Sequence, residues 1–116
     1  MTTQFVNLMP HPATIVTAGG VISVPPSGQL CRVRTTSVAV GEVGGVPVYV
    51  DEFGEVEGLP DPQDGVVLLV SGLVLAALRG SGRRDVLAPG TGPQDGPVRS
   101  PEGQVVGVTR LKAVQP

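Results

Sequence analysis

Residues 65–85 read GVVLLVSGLVLAALRGSGRRD, and this stretch contains the one change of character in an otherwise repetitive chain. β-branched residues dominate its first half, whereas Leu and Ala dominate its second half. Ser71 stands at the change and belongs to the residue types that cap helix N-termini, while Gly80 suits a helix end. The stretch therefore predicts a strand over 66–70 and one short helix over 72–79. A single buried strand that continues through the segment is the alternative, because short apolar runs are ambiguous.

The rest of the chain alternates short apolar runs with Gly and Pro turns, a pattern typical of a mostly β protein. Gly19-Gly20 and Gly44-Gly45 predict two hairpin reversals, because glycine accepts the positive φ angles of tight turns. We predict a mostly β fold, a compact antiparallel sheet or a barrel-like arrangement, with one short helix around 72–79; an α+β fold is the alternative. The predicted strands are residues 5–8, 14–17, 21–24, 29–40, 46–50, 66–70, 85–87 and 105–111.

Length and composition predict a single domain over residues 1–116 with a modest core. The chain contains 22 valines but only three aromatic residues, so each core residue buries little area. Gly and Pro together make 29 residues, yet the apolar runs between them argue against disorder. Modest core area predicts modest stability for a monomer, and we therefore expect a homo-oligomer.

Charge and targeting features argue against two classes of partner, nucleic acid polymers and membranes. The net charge is −2 and no basic stripe is present, which argues against a nucleic acid polymer as partner. The longest apolar stretch is too short to span a bilayer, and the first residues lack the features of a signal peptide. The sequence therefore predicts no membrane association and a cytoplasmic location, which is the host cytoplasm if the protein is encoded by a phage.

Catalytic and metal chemistry find little support. His11 is the only histidine and Cys31 the only cysteine, so a zinc site cannot be assembled and no internal disulfide is available. The acidic stretch 42–64 does not match a calcium loop and reads as a solvated hairpin and loop. No nucleophile motif is present. We predict no catalytic residues, no metal and no cofactor; enzymatic activity stays open, with its absence favoured.

A small anionic ligand is the partner that the polar residues favour. The backbone N–H groups at Ser27-Gly28 suit an anion nest, and a helix start at Ser71 is another favourable position for anions. Arginine forks match phosphate, and proline on both sides holds the only imidazole still. Each feature also has a plain structural interpretation as a turn, a helix cap or a solvated arginine. The predicted ligand-binding residues are His11, Ser27, Gly28, Arg32, Ser71, Arg83 and Arg84.

Several segments resemble a known group of sequences: NLMPHPATIV, PPSG, GLPDPQDG, VSGLVLAAL and RRDVLAPG. The pattern is similar to small uncharacterised proteins of phages and actinobacteria that open with an N-L-x-P-H-like motif. No established activity attaches to that group. Small phage proteins of this size include non-enzymatic sponges, which sequester nucleotide immune signals, and parts of the virion.

Two functions compete on this basis. The first is a non-enzymatic small-molecule binding module, such as a phage sponge that sequesters a nucleotide-like anionic signal. The second is a phage virion structural or assembly protein, which low charge, many valines and edge-prone strands would suit. We predict the binding module, with the assembly protein as the alternative.

Overall fold

A computed structural model describes residues 3–116 as mostly β-strand with one short helix, which confirms the predicted class. The helix α1 covers Gly72–Ala77, and a single 3-10 turn covers Pro93–Asp95. The strands are β1 (Gln4–Asn7), β2 (Ala13–Thr17), β3 (Gly20–Val24), β4 (Arg32–Val43), β5 (Val46–Glu57), β6 (Val66–Leu69), β7 (Val86–Pro89), β8 (Val98–Arg99), β9 (Val105–Gly107) and β10 (Leu111–Ala113).

The main sheet has the strand order β1-β6-β7-β10. Its first two pairings are parallel and only β7 with β10 is antiparallel. The parallel pairs differ from the antiparallel sheet that the sequence predicted, and the sheets do not close into a barrel. For β6 and β7 the physical reason is α1, because a helix between them carries the chain back along the sheet and lets the next strand run in the same direction. For β1 and β6 the long connection through β2 to β5 returns the chain to the same end of the sheet.

Both faces of the main sheet are covered, which places the core in two layers. On one face, α1 inserts Val74 and Leu78 against Leu68, Val70 and neighbouring strand residues. On the opposite face, the β2–β3 hairpin packs Ala13 and Val24 against Leu69. Because neighbouring residues of a strand point to opposite faces, the uninterrupted apolar run of β6 supplies both layers.

The two longest strands leave this body as a separate ribbon. β4 and β5 pair only with each other in the sheets of the described residues, and we call this pair, residues 32–57, the arm. Its root is buried through Val33, which shares a core cluster with Val56 and the helix. Twelve residues at about 3.3 Å each make an arm about 40 Å long. The radius of gyration is accordingly 16.5 Å, whereas a compact chain of this length has about 13 Å.

Element boundaries differ from the predictions at several places: β4 covers 32–43 rather than 29–40, β7 covers 86–89 rather than 85–87, and β8 was not predicted. Three further differences have a physical reason in the structure. The helix ends at Ala77 rather than at 79, because its last turn tightens to i→i+3 bonds and Gly80 turns the chain at φ 81°. β5 continues to Glu57 because the pairing with β4 continues past the acidic residues. The predicted strand 105–111 splits into β9 and β10, since Thr109 bends the chain by bonding its hydroxyl to the Asp95 carbonyl.

Candidate functional site

Three parallel strands end at one edge of the main sheet, which we call the carboxyl edge. β1 ends at Asn7, β6 ends beside Ser71 and β7 ends at Pro89. Loops at the carboxyl ends of parallel strands are where open sheets of this kind bind ligands. This edge is therefore the first place to look for a small-molecule site.

Asn7 organises the carboxyl edge. Its side chain is fully buried, and its amide nitrogen donates to the His11 carbonyl at 2.8 Å and to the Val24 carbonyl at 3.1 Å. Its side-chain oxygen accepts the Met9 N–H at 2.9 Å. These three bonds hold the backbone of residues 9–11 and the end of β3 close to the end of β1. The N-L-x-P-H pattern thus has a structural basis in the asparagine, a residue that sequence reasoning did not single out.

His11 lies exposed at the mouth of a crevice of about 200 Å³. Its Nδ1 lies 3.3 Å from the Pro12 carbonyl oxygen. Thr91, from the loop after β7, lines the same crevice, and Val106 and Met9 contribute apolar walls. Thr14 of β2 is a second threonine of its lining, so an imidazole and two threonines lie among mainly apolar residues. This size and chemistry suit a small ligand or a single side chain of a partner.

Ser27 and Gly28 lie behind the carboxyl edge and serve the fold. The Ser27 hydroxyl donates to the Asn7 carbonyl oxygen at 2.7 Å, and the Ser27 N–H donates to the same oxygen at 3.0 Å. Gly28 follows with φ 92°, a turn conformation that glycine adopts without strain. The Ser27 N–H, which was predicted to form part of an anion nest, is thus bonded to the backbone of β1, and so is the Ser27 hydroxyl.

Ser71 caps α1 as predicted. Its Oγ accepts the Val74 N–H at 3.3 Å, which satisfies one of the free N–H groups of the first turn. The helix has six residues, so its dipole adds little at this position. Ser71 shares the carboxyl edge with His11 by topology, but it does not line the crevice that contains the imidazole.

Arg83 and Arg84 lie at the other end of the sheet, because they precede β7. Arg83 is bound through Nε to Asp85 Oδ1 at 2.8 Å and through Nη2 to Asp85 Oδ2 at 2.9 Å, and it also donates to the Pro60 carbonyl. The hydrogen bond with the guanidinium lowers the pKa of Asp85 and raises that of Arg83. Arg84 is exposed, and both arginines line an open cavity of about 550 Å³.

Arg32 is exposed at the root of the arm, opposite Glu57 in the β4–β5 register. The seven predicted residues therefore lie at separate places. His11 lines the crevice at the carboxyl edge, and Arg83 with Arg84 lines the cavity at the amino ends of the strands. The structure does not gather them into a single pocket, and ligand binding by each group stays a prediction.

A buried carboxylate holds the loop after β7 to β10. The Asp95 side chain is 2% exposed, and its Oδ1 accepts from Arg110 Nε at 2.8 Å and from Lys112 Nζ at 2.7 Å. Its Oδ2 accepts the Gly92 N–H at 3.0 Å. The bonds from Lys112 and Arg110 lower the pKa of Asp95 to about 2. The sequence predicted only a turn residue here, because partners 15 and 17 positions away leave no local pattern.

Apolar side chains are exposed to solvent more often on the arm than elsewhere in the described residues. Its strands alternate sides, and Val46, Val48 and Val50 therefore share one face of β5. Val43 opposes Val46 and Val38 opposes Val50, so these two valines of β4 lie on the same face. We call these five residues the valine face. Val43 is 72% exposed and Val46 is 62% exposed.

The opposite face of the arm is also open to solvent. It carries Tyr49 and Phe53, both more than half exposed, beside a hydrogen bond of 2.8 Å between the Ser37 hydroxyl and Asp51. We call residues 36–53 the outer arm. It carries Glu42, Asp51 and Glu52 and no basic residue. A solvated hairpin was predicted for this region, but exposure of its apolar residues on both faces was not.

Reactive groups are few in the described part of the chain. Residues 3–116 contain no cluster of three or more side chains able to hold a metal ion. Cys31 is buried, and burial raises the pKa of its thiol, which keeps the thiol protonated and unreactive. Within the same residues, no helix has the length and apolar character needed to cross a bilayer.

Comparisons with protein-family models, curated proteins and solved structures found no match to this chain.

Proposed function

We propose that this protein is a non-enzymatic structural or assembly protein that forms homo-oligomers through its arm. The observation that carries the proposal is the outer arm, where apolar side chains face solvent on both sides of a two-stranded ribbon. An isolated two-stranded hairpin is marginally stable in water, and exposed apolar patches mark interaction surfaces. Contact with another protein surface would stabilise the ribbon.

The core supports the same proposal from a different direction. The buried clusters of the body consist mainly of valine and leucine, with alanine, methionine and cysteine, and they contain no aromatic side chain that is fully buried. A core of this kind buries little apolar area per residue. Subunit contacts would add the area that the body lacks.

The test is sedimentation velocity over a range of protein concentrations. We expect the wild-type chain to sediment as species larger than the 11.8 kDa monomer. A trimmed variant, in which Asn-Gly replaces residues 37–51 and joins Thr36 to Glu52, should remain monomeric, because Asn-Gly favours a two-residue hairpin turn. A wild-type chain that is monomeric at every concentration would refute the proposal.

A point variant complements the trimmed one. Val48→Glu with Val50→Glu places two carboxylates on the valine face and should abolish association. Val21→Glu is the matched control, because Val21 is an exposed valine of β3 away from the arm. Equal loss of association in both variants would show that surface charge, rather than the arm, controls the oligomer.

Small-molecule binding is the second candidate, and the crevice beside His11 and Thr91 favours it. In this proposal the protein is a phage sponge in the host cytoplasm that sequesters a nucleotide-like anion. Thermal melts against nucleotides and inorganic phosphate test it, since a ligand at 100 times its Kd stabilises the fold by about 2.7 kcal/mol. The shift should vanish in His11→Ala and persist in Arg84→Ala. Absence of any shift across the panel would reject this candidate.

A further inference from the structure

The body offers one surface whose chemistry complements the outer arm. A groove of about 290 Å³ lies between α1 and β10, lined by Gly72, Leu75, Ala76, Arg79, Lys112, Ala113 and Gln115. Its helix side follows the i, i+3, i+4 spacing of one face of α1, and Arg79 lies just beyond the helix end. Small and apolar side chains form most of its walls, so the groove suits branched apolar side chains such as valine.

β10 adds an open strand edge to this groove. It pairs with β7 on one side and is the last strand of the main sheet in the described residues. An open edge presents unpaired N–H and C=O groups and accepts an extended strand from another chain. The outer arm is such a strand pair, with eight residues in each strand, 36–43 and 46–53, and with both edges open.

The outer arm could dock either on the body of another copy or on that copy's outer arm, and the distribution of charge favours the body. Arg79 is exposed at the groove and makes no ion pair within residues 3–116. Lys112 and Arg110 share the single carboxylate of Asp95, so that cluster keeps one net positive charge. The outer arm carries three carboxylates and no base. Two arms packed together would bring like charges close, whereas an arm in the groove pairs opposite charges.

From this complementarity we infer that the occupant of the groove is the outer arm of a second copy of this chain. The arm adds to the β10 edge and turns its valine face toward α1. This inference rests on the arm-mediated assembly proposed above and specifies its partner surface. It predicts an interface in which different surfaces of the two copies meet at each contact.

A complementation experiment tests the inference. The arm variant, Val48→Glu with Val50→Glu, keeps an intact groove. The groove variant, Ala76→Glu with Arg79→Glu, keeps an intact arm. Each should sediment as a monomer alone, and an equimolar mixture should form a 1:1 heterodimer, because one arm and one groove remain compatible. Arg84→Glu is the matched charge reversal at the other end of the sheet and should associate like the wild-type chain.

The outcomes separate this inference from the proposed function. A groove variant that associates like the wild-type chain, while the arm variant does not, would overturn the groove and leave arm-mediated assembly standing. A monomeric wild-type chain would instead remove the proposed function itself. Failure of the mixture to form a heterodimer from two folded variants also overturns the inference.

Hydrogen exchange on the unmodified chain gives a second measurement that does not depend on any variant folding. In the β7–β10 register the Lys112 amide faces β7, whereas the amides of Leu111 and Ala113 face the open edge. The Leu111 and Ala113 amides should exchange at least tenfold more slowly at concentrations where the chain is associated than at concentrations where it is monomeric. Exchange that does not change at β10 on association would overturn the inference, whatever the variants show.

Discussion

Asn7 joins three segments of the chain with one side chain. Its carboxamide bonds the backbone at Met9, His11 and Val24, over distances of 2.9, 2.8 and 3.1 Å. Asn7→Leu keeps a similar volume but leaves these backbone groups without a partner, which we expect to reduce the free energy of unfolding by about 3 kcal/mol. Urea denaturation followed by circular dichroism measures the change.

Ser27→Ala is the matched control for that variant. It removes one bond to the Asn7 carbonyl oxygen, but the Ser27 N–H continues to donate to the same atom. The expected loss is about 1 kcal/mol. If both variants cost the same, the carboxamide does not organise the carboxyl edge.

Asp95 makes stability depend on acid. Its pKa is about 2 in the folded chain against an ordinary value of 3.8, so the folded state prefers the ionised carboxylate. Its contribution is complete above the unfolded value and is lost as the pH falls through about 2. We expect the unfolding free energy to decline between about pH 5 and pH 2, and Asp95→Asn to flatten that decline. If the unfolding free energy of Asp95→Asn declined with falling pH as steeply as that of the wild-type chain, Asp95 would not be the cause of the decline.

The outer arm is an element that the body does not need. The buried contacts of the arm come from its root, through Val33 and Val56, and the core clusters contain no residue from 37–51. The trimmed variant should therefore unfold within about 1 kcal/mol of the wild-type monomer, because surface changes away from packed contacts have small effects. Thermal melts at concentrations where both chains are monomeric make the comparison. A much less stable trimmed variant would show that the outer arm supports the body.

The elements also show which features of the fold could be predicted from the sequence and which could not. Gly44-Gly45 marks a real reversal. The first hairpin is also real, but its turn residues are Ala18 and Gly19 rather than Gly19-Gly20, since Gly20 already pairs with Thr17. Ser71 marks a real helix start, because turns and caps depend on local chemistry. Parallel pairing of β1, β6 and β7 leaves no such mark, since it depends on contacts across many residues. The exposed valines were missed for a related reason: an apolar strand pattern predicts burial but not which surface provides it.

The candidate site likewise combines features that the sequence predicted with features that it did not. Proline on both sides of His11 predicted that the imidazole is held still, and this stays a prediction because the side chain is exposed. What the structure shows is that Asn7 bonds the backbone of this segment at Met9 and His11. Thr91 reaches the same crevice only because β7 runs parallel to β6 and β1. Likewise, Arg83 reads as a free guanidinium in the sequence, whereas Asp85 and the Pro60 carbonyl occupy its donors in the fold.

For the whole molecule, charge predicts how association responds to salt. Docking of an acidic arm in a basic groove should weaken as ionic strength rises, because the Debye length falls from about 10 Å at 0.1 M to about 3 Å at 1 M. Contact between valine faces alone would strengthen or stay constant, since it has no charge pairing to screen. Sedimentation equilibrium across this range of NaCl measures the difference, and association that tightens with salt would contradict the arm-in-groove contact.

The irregular register at the arm's root sets where its tip points. Pairing shifts between Val33 and Thr35, and such bulges bend and twist a ribbon locally. A rotation of about 10° at that hinge would displace a tip about 30 Å away by about 5 Å, roughly the spacing between neighbouring strands. A substitution that removes this bulge would therefore shift the tip of the arm by about the distance between two neighbouring strands, although every valine at the tip stayed unchanged.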